Sequence, residues 1–215
     1  MKTNVAIVGG GPAGSASALF LAREGIQSVI IEQQTFPRYH IGESMTAEAG
    51  TVVRELGLEA EMLNRKHPIK HGVKVYGTGG KNDWFVPVMM RDRDWNLTEN
   101  FTWQVLRSDF DQMMLNEAVK HGATVLRGQA LRPITTEDGT VRGVKVRMPD
   151  GKVMDIQSEM LLDCTGQATW LANQGGFTGP KYLGAYEFRA AAFAGGAGVS
   201  QPAQAAGRPR AILRA

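Results

Sequence analysis

At 215 residues, with 43% hydrophobic and 21% charged residues, the chain is long enough for one domain with a buried core and has an ordinary globular composition. Its net charge of +3, with no lysine and arginine run interleaved with aromatics, argues against a nucleic-acid partner and reads as a solvated surface with a slight positive bias, which would also suit a dianionic cofactor. A single cysteine, Cys164, excludes an internal disulfide and a multi-cysteine zinc site, and with no signal peptide or bilayer-length apolar run the expected location is the cytoplasm, with no membrane partner.

The chain opens on a short apolar run, Asn4 to Val8, that ends in glycines and reads as a buried parallel strand. Ala13 to Glu24 reads as a helix with Ala16, Leu19 and Phe20 on its buried face and Gly25 as its stop. Ser28 to Ile31 is a second strand, closed by Glu32. The loop Gln33 to Ser44 leads to a helix over Met45 to about Asn64, with Val52, Val53, Leu56 and Leu63 along one side.

Strands are expected at Val73 to Tyr76, Trp84 to Met89 and Phe101 to Leu106. Ser108, with Asp111 three residues on, has the pattern of a capping box. The helix it opens should bury Phe110, Met114, Ala118 and Val119 and end at Gly122, its methionines serving as core filler. Beyond Thr124, strands near Leu131 to Thr135, Val141 to Val146 and Val153 to Gln157 are separated by Asp138-Gly139 and Asp150-Gly151, which are hairpin turns. This meander is followed by a strand, Met160 to Asp163, and Cys164 is a buried thiol at its end. Residues 1–187 are expected to form the domain. From Phe188 to Ala215 no acid and no lysine occurs, and the low-complexity tail 188–215 reads as a flexible tail, a truncated reading frame or a cloning remnant.

Gly9-Gly10-Gly11-Pro12-Ala13-Gly14 fits G-x-G-x-x-G in its required context: after a strand, opening a helix, with an acid, Glu32, about 20 residues on. Gly9 permits the turn, Gly11 lets the backbone approach a pyrophosphate, and Gly14 allows close packing of helix on strand. The pyrophosphate would sit on free N–H groups at the positive end of the helix. Glu32 can accept both ribose hydroxyls and repels a 2′-phosphate, which disfavours NADP. The fingerprint alone does not separate FAD from NAD.

Two later segments bear on that choice. Arg107-Ser108-Asp109-Phe110-Asp111 opens a helix, and Leu162-Asp163-Cys164-Thr165-Gly166 ends a strand. Both resemble segments of FAD enzymes built on the para-hydroxybenzoate hydroxylase plan, in which such an arginine lies at the flavin and such a D-x-x-G turn passes the diphosphate. The residues alone also leave Arg107 open to a helix-start ion pair and Asp163 to a turn. A third string, Phe36-Pro37-Arg38-Tyr39-His40-Ile41-Gly42-Glu43-Ser44, resembles the F-P-R-x-H-x-G-E-S signature of flavin-dependent halogenases, especially those acting on phenols, pyrroles and aromatic polyketides. Gly42 to Ser44 would present N–H groups and a hydroxyl at a helix start, suited to an anionic flavin or a halide. Arg38 and His40 are equally open to a surface role, and His40 has no second histidine at metal spacing, so no metal site is expected.

The resemblance covers Val5 to Tyr186. It implies an α/β, Rossmann-like FAD-binding domain of the para-hydroxybenzoate-hydroxylase/glutathione-reductase type with an inserted β-meander. It places Gly9, Gly10, Gly11, Pro12, Ala13, Gly14, Glu32, Arg38, Gly42, Glu43, Ser44, Arg107, Ala130, Asp163 and Gly166 at the cofactor. It makes Lys70, in His67-Pro68-Ile69-Lys70-His71, the catalytic amine, which holds hypohalous acid or becomes a chloramine; Lys74 is the runner-up. Reduced FAD as cosubstrate, halide, a separate flavin reductase and an aromatic small molecule, free or tethered to a carrier protein, are the implied cofactors and partners. The chain departs from the family in lacking the W-x-W-x-I-P motif, a proline soon after Ser44, and the later flavin and halide segments, so an inactive truncated form is expected of this chain. A monooxygenase or geranylgeranyl-reductase-like enzyme is the alternative, and Asp163-Cys164 in place of the hydroxylases' D-G pair weighs against the hydroxylase branch. The reading from another class is a non-catalytic flavin-binding fragment.

Overall fold

The computed structural model describes residues 1–174 except 78, 80, 81 and 93. The expected tail, 188–215, and the end of the expected domain lie outside the described residues. The chain divides into two units: Met1–Arg38 together with the chain from Asp111 on, and Tyr39–Phe110.

The first unit is built on a six-stranded sheet. β1 (Lys2–Val8), β2 (Ser28–Glu32), β9 (Thr124–Arg127), β10 (Gln129–Thr135), β11 (Val141–Arg147) and β12 (Val153–Asp163) lie in the order β10-β11-β12-β1-β2-β9. The strands β12, β1, β2 and β9 are parallel; β10, β11 and β12 are antiparallel. β2 is buried at every position, as expected of a parallel strand covered on both faces. Ala6, Val8, Val29, Ile31, Val144, Val146, Ile156 and Leu161 form one apolar cluster across the sheet.

The meander extends the parallel sheet. What the sequence separates into two strands, Val153 to Gln157 and Met160 to Asp163, is one strand, β12. Its first part pairs with β11 and its second with β1, and Gln157 pairs with both Gly143 and Lys2. No turn residue interrupts the intervening Ser158 and Glu159, so the strand runs through.

Helix α1 (Pro12–Arg23) buries Gly14, Ser15, Ala18 and Leu19. The expected face is therefore rotated: Ala16 is half-buried and Phe20 is exposed. Gly14 must face the strand, because a Cβ there would stand 1.9 Å from the Gly9 carbonyl oxygen, and this sets the helix rotation. Helix α4 (Arg107–Lys120) contains the second boundary between the units. It begins one residue before Ser108, and the Leu106 carbonyl accepts from the N–H groups of Asp109 and Phe110, so the capping box does not form. Met113 and Met114 are buried as core filler, whereas Val119 is half-exposed.

In the second unit, the expected long helix is two: α2 (Ala47–Glu55) and α3 (Glu59–Asn64). Gly57, at φ +72°, breaks it with a left-handed residue. The break resets the helical phase, so Met62 is buried and Leu63 is exposed. Three two-stranded antiparallel ladders follow. β3 (Ile69–Lys70) pairs with β8 (Thr102–Trp103), β4 (Gly72–Val75) with β5 (Trp84–Pro87), and β6 (Met89–Arg91) with β7 (Leu97–Glu99). The expected strand Trp84 to Met89 thus divides at Val88, and the one expected over Phe101 to Leu106 shortens to Thr102–Trp103. Among the described residues no helix is long and apolar enough to cross a membrane.

Candidate functional site

In the first unit the register aligns Val8 with Ile31 on one side and Asp163 on the other. Gly9, Glu32 and Cys164 therefore stand at the carboxyl edge of three adjacent parallel strands, where open α/β sheets bind ligands. Gly9 adopts φ +103°, and a Cβ there would stand 2.5 Å from the Cys164 carbonyl oxygen. Only glycine makes this turn in this space.

Glu32 is buried, 7% exposed. Its Oε2 accepts from Gly10 N–H at 2.8 Å and its Oε1 from Gln34 N–H at 2.7 Å. Each carboxylate oxygen keeps a second acceptor direction, enough for two ribose hydroxyls. Helix α1 has Gly11 as N-cap, Pro12 in its first turn, no side-chain cap and no acidic residue there. The first-turn N–H groups of Ala13 and Gly14 have no intrahelical acceptor and carry the positive end of the helix dipole.

Arg38 adds a cation at the same turn. Its Nη2 lies 3.4 Å from where a Cβ on Gly11 would stand, and its guanidinium stacks 4.7 Å from the Phe36 ring centroid. Its side chain is 14% exposed; Nη1 is 3.6 Å from Asp111 Oδ2, yet neither Nη1 nor Nε has a hydrogen-bond acceptor. Buried donors without acceptors, an uncapped helix start and a glycine that keeps the cradle open together fit a bound pyrophosphate, and buried Glu32 fits the ribose beside it.

Asp163, Gly166 and Ala130 have a different relation to this edge. Asp163 Oδ1 accepts from the Thr165 N–H and hydroxyl at 3.1 and 2.6 Å, and its Oδ2 from Leu171 N–H at 2.8 Å. Its carboxylate thus closes its own turn. Gly166, at φ +60°, opens the 3₁₀ turn that follows, and the Ala130 carbonyl accepts from Trp170 Nε1–H at 3.1 Å. Cys164 is buried, which pushes its thiol up to about 12, so it carries no nucleophile at neutral pH.

In the second unit Lys70 and Ser44 meet. Lys70 Nζ donates to Ser44 Oγ at 2.9 Å and to the Met45 carbonyl at 3.0 Å. Lys74 instead pairs with Asp83 at 2.7 Å and lies over the Tyr76 ring, an exposed surface arrangement. Gly42 adopts φ +111°, and Arg107 Nη1 donates to the Ile41 carbonyl at 2.8 Å. Glu43 is exposed, and its carbonyl accepts from Val105 N–H at 2.7 Å. Gly42 to Ser44 do not open a helix as expected: the N-cap of α2 is Thr46, whose hydroxyl accepts from Ala49 N–H at 3.3 Å. His40 is exposed and bonds the Ile41 carbonyl through Nδ1. Among the described residues no cluster of His, Cys, Asp or Glu could hold a metal.

Sequence reasoning missed two residues here. Thr102, fully buried, donates its hydroxyl to the Thr46 carbonyl at 3.1 Å. His67 is also buried, with Nε2 3.3 Å from Asp109 Oδ2. Thr102 alternates with the equally polar but exposed Gln104 in Phe101 to Leu106, so the sequence carries no signal of its burial.

The profile of the FAD binding domain family matches residues 2–207. The chain belongs to the FAD binding domain family. This FAD-binding domain is 36% identical over 198 residues to a 1H-pyrrole-2-carbonyl-[peptidyl-carrier protein] brominase of Pseudoalteromonas luteoviolacea (strain 2ta16), covering 92% of the chain and 46% of that protein. It is 33% identical over 191 residues to a flavin-dependent halogenase of Aspergillus carbonarius (strain ITEM 5010), covering 85% and 36%. The solved structure of a flavin-dependent brominase superposes with a TM-score of 0.72 at 36% identity, covering 81% of this chain and 41% of that one. The chain spans less than half the length of these relatives.

Proposed function

We propose that the protein carrying this FAD-binding domain is a flavin-dependent halogenase of electron-rich aromatic rings. The observation that carries the reading is the Lys70–Ser44 bond, which joins the family's G-E-S turn to the one lysine that the resemblance marks as catalytic. Reduced FAD, with oxygen and halide, supplies hypohalous acid. Gly9 to Gly14 and Arg38 bind the pyrophosphate, and Glu32 the adenosine ribose. Gly42, Glu43, Ser44 and Arg107 are assigned to the cofactor by the resemblance, with Arg107 bracing the Ile41–Gly42 turn through its carbonyls. Asp163, Gly166 and Ala130 shape the loop beside the glycine turn.

Lys70 acts on the halogenating species. Two of its N–H directions are taken by Ser44 and Met45, which leaves one to point at hypohalous acid and orient it toward the ring. The pyrrole brominase acts on a carrier-tethered ring. A pyrrole or phenol, tethered or free, is therefore the proposed substrate class, with a separate reductase supplying reduced FAD and the cytoplasm as location. The test is product formation by the full-length protein with reduced FAD, oxygen, bromide or chloride, and a pyrrole or phenol. A halide-dependent mass increase of the ring product is expected; hydroxylated product without halide would establish the monooxygenase reading instead.

A further inference from the structure

The middle strand between Lys70 and Ser44 sets their distance. Three extended segments lie side by side in the second unit. On one side of residues 102–105, Ile69 and Lys70 stand opposite Trp103 and Thr102, and Gln104 N–H donates to the Pro68 carbonyl at 2.8 Å. On the other side, Ser44 bridges to Gln104, Met45 N–H donates to the Trp103 carbonyl at 3.1 Å, and Val105 N–H to Glu43. Lys70 and the segment holding both its acceptors are thus on opposite flanks of β8. Adjacent strands are about 4.8 Å apart, so the lysine must reach across roughly two spacings.

Thr102 is the residue it reaches past. Directly opposite residues of an antiparallel pair put their side chains on one face, so the Thr102 and Lys70 side chains share a face. Thr102 is fully buried, and its hydroxyl bond to Thr46 ties β8 to the residue that follows Met45 and caps α2. Gly50 of α2 makes the room: a Cβ there would stand 2.8 Å from Thr102 Oγ1. Beside it, Trp103 is fully buried and Arg54 stacks on both Phe101 and Trp103, 4.5 and 4.8 Å from the ring centroids. Arg54 also donates to the Phe101 carbonyl at 2.8 Å, so β8 cannot slide along its neighbours without breaking this clamp.

We propose that Thr102 is a positioning residue for the Lys70 amine: its hydroxyl, bonded to Thr46, holds the Ser44–Met45 acceptors at the distance a lysine on β3 can span. Its catalytic meaning rests on the reading of Lys70 given above. The experiment reads the amine's surroundings and not turnover, so failure of the halogenase reading and failure of this proposal are distinguishable.

The test is residue-resolved acylation of the chain with acetic anhydride, followed by mass spectrometry. Wild-type Lys70 is expected to label about tenfold more slowly than exposed Lys152, the weight of its hydrogen bonds. Thr102→Val, which keeps the volume and removes the hydroxyl, raises Lys70 labelling severalfold and leaves Lys145 unchanged; Thr102→Ser behaves as wild type. A purely space-filling Thr102 gives the opposite order, because valine is the better steric match. Gly50→Ala, which displaces Thr102 while keeping its hydroxyl, also raises Lys70 labelling, and it decides the matter if Thr102→Val does not melt cooperatively. Equal labelling of Lys70 and Lys152 in the wild type overturns the proposal, as does wild-type labelling of Lys70 in either folded variant.

Discussion

Lys70 Nζ lies 2.9 Å from Ser44 Oγ across 26 residues of chain. The bond unites two separate motifs, the turn Gly42-Glu43-Ser44 and the segment His67 to Lys74. It also separates Lys70 from Lys74, which is held by Asp83. Of the two candidate lysines, only Lys70 touches the motif that carries the family resemblance.

In the proposed site Glu32, whose carboxylate already accepts from Gly10 and Gln34 N–H, sets which dinucleotide the first unit accepts. Glu32→Gln keeps the shape but loses one acceptor, and it should weaken FAD binding by about 1.5–3 kcal/mol, ten- to a hundredfold. Isothermal calorimetry with FAD and with NADP measures this. Wild type should prefer FAD; unchanged FAD affinity in the variant, or tighter NADP binding by wild type, contradicts the site.

Gly14→Ala tests the contact that orients α1. The new Cβ would stand 1.9 Å from a backbone carbonyl oxygen, so helix and strand must part. A loss of about 2–4 kcal/mol is expected in denaturant unfolding, with FAD binding lost as well. A variant as stable as wild type would show that this packing is wrong.

The strand–turn–helix–strand opening was legible because every signal in it is local: an apolar run, three glycines, a helix and an acid at fixed spacing. Glu32 and Gly9 to Gly14 stand where that pattern puts them. β12 was not legible, since its continuity depends on pairing with β1, a partner at the far end of the sequence. The split of the long helix at Gly57 could have been read, as glycine is a helix stop; the apolar periodicity on both sides of it concealed the change of phase. The Lys70–Ser44 contact rests on a ladder of two residue pairs, too short to leave a pattern. Thr102 was hidden for the same reason.

Cys164 provides a test of burial at the strand edge. With its thiol pushed up to about 12, alkylation by iodoacetamide near neutral pH should be on the order of a thousandfold slower in the folded chain than in urea. Comparable rates would mean that the end of β12 is open to solvent.

His67 should make the second unit acid-sensitive. Burial lowers its affinity for a proton and, with a smaller push from Arg65, outweighs the opposing pull of Asp109. The folded imidazole therefore binds a proton less readily than the unfolded one, and the unfolded chain takes up the extra proton as the pH falls. Stability is complete above about pH 6.5 and declines as the pH falls below it toward the lower folded value. His67→Gln should flatten that decline in urea melts across pH 7 to 5. A steeper decline in the variant contradicts the assignment.

The most direct test of the central claim is Lys70→Ala in the full-length protein, with product formation and reduced-FAD oxidation followed in the same reaction. In the proposed function the glycine turn and Glu32 hold the flavin and the Lys70 amine acts afterwards on the halogenating species, so the two activities should separate. Halogenated product should fall at least a hundredfold, as misplacement at a reacting centre costs, while flavin oxidation and FAD affinity stay near wild type. Lys70→Arg should fail as well, since a guanidinium has a different donor geometry and stays charged. Wild-type product formation in Lys70→Ala would contradict the account.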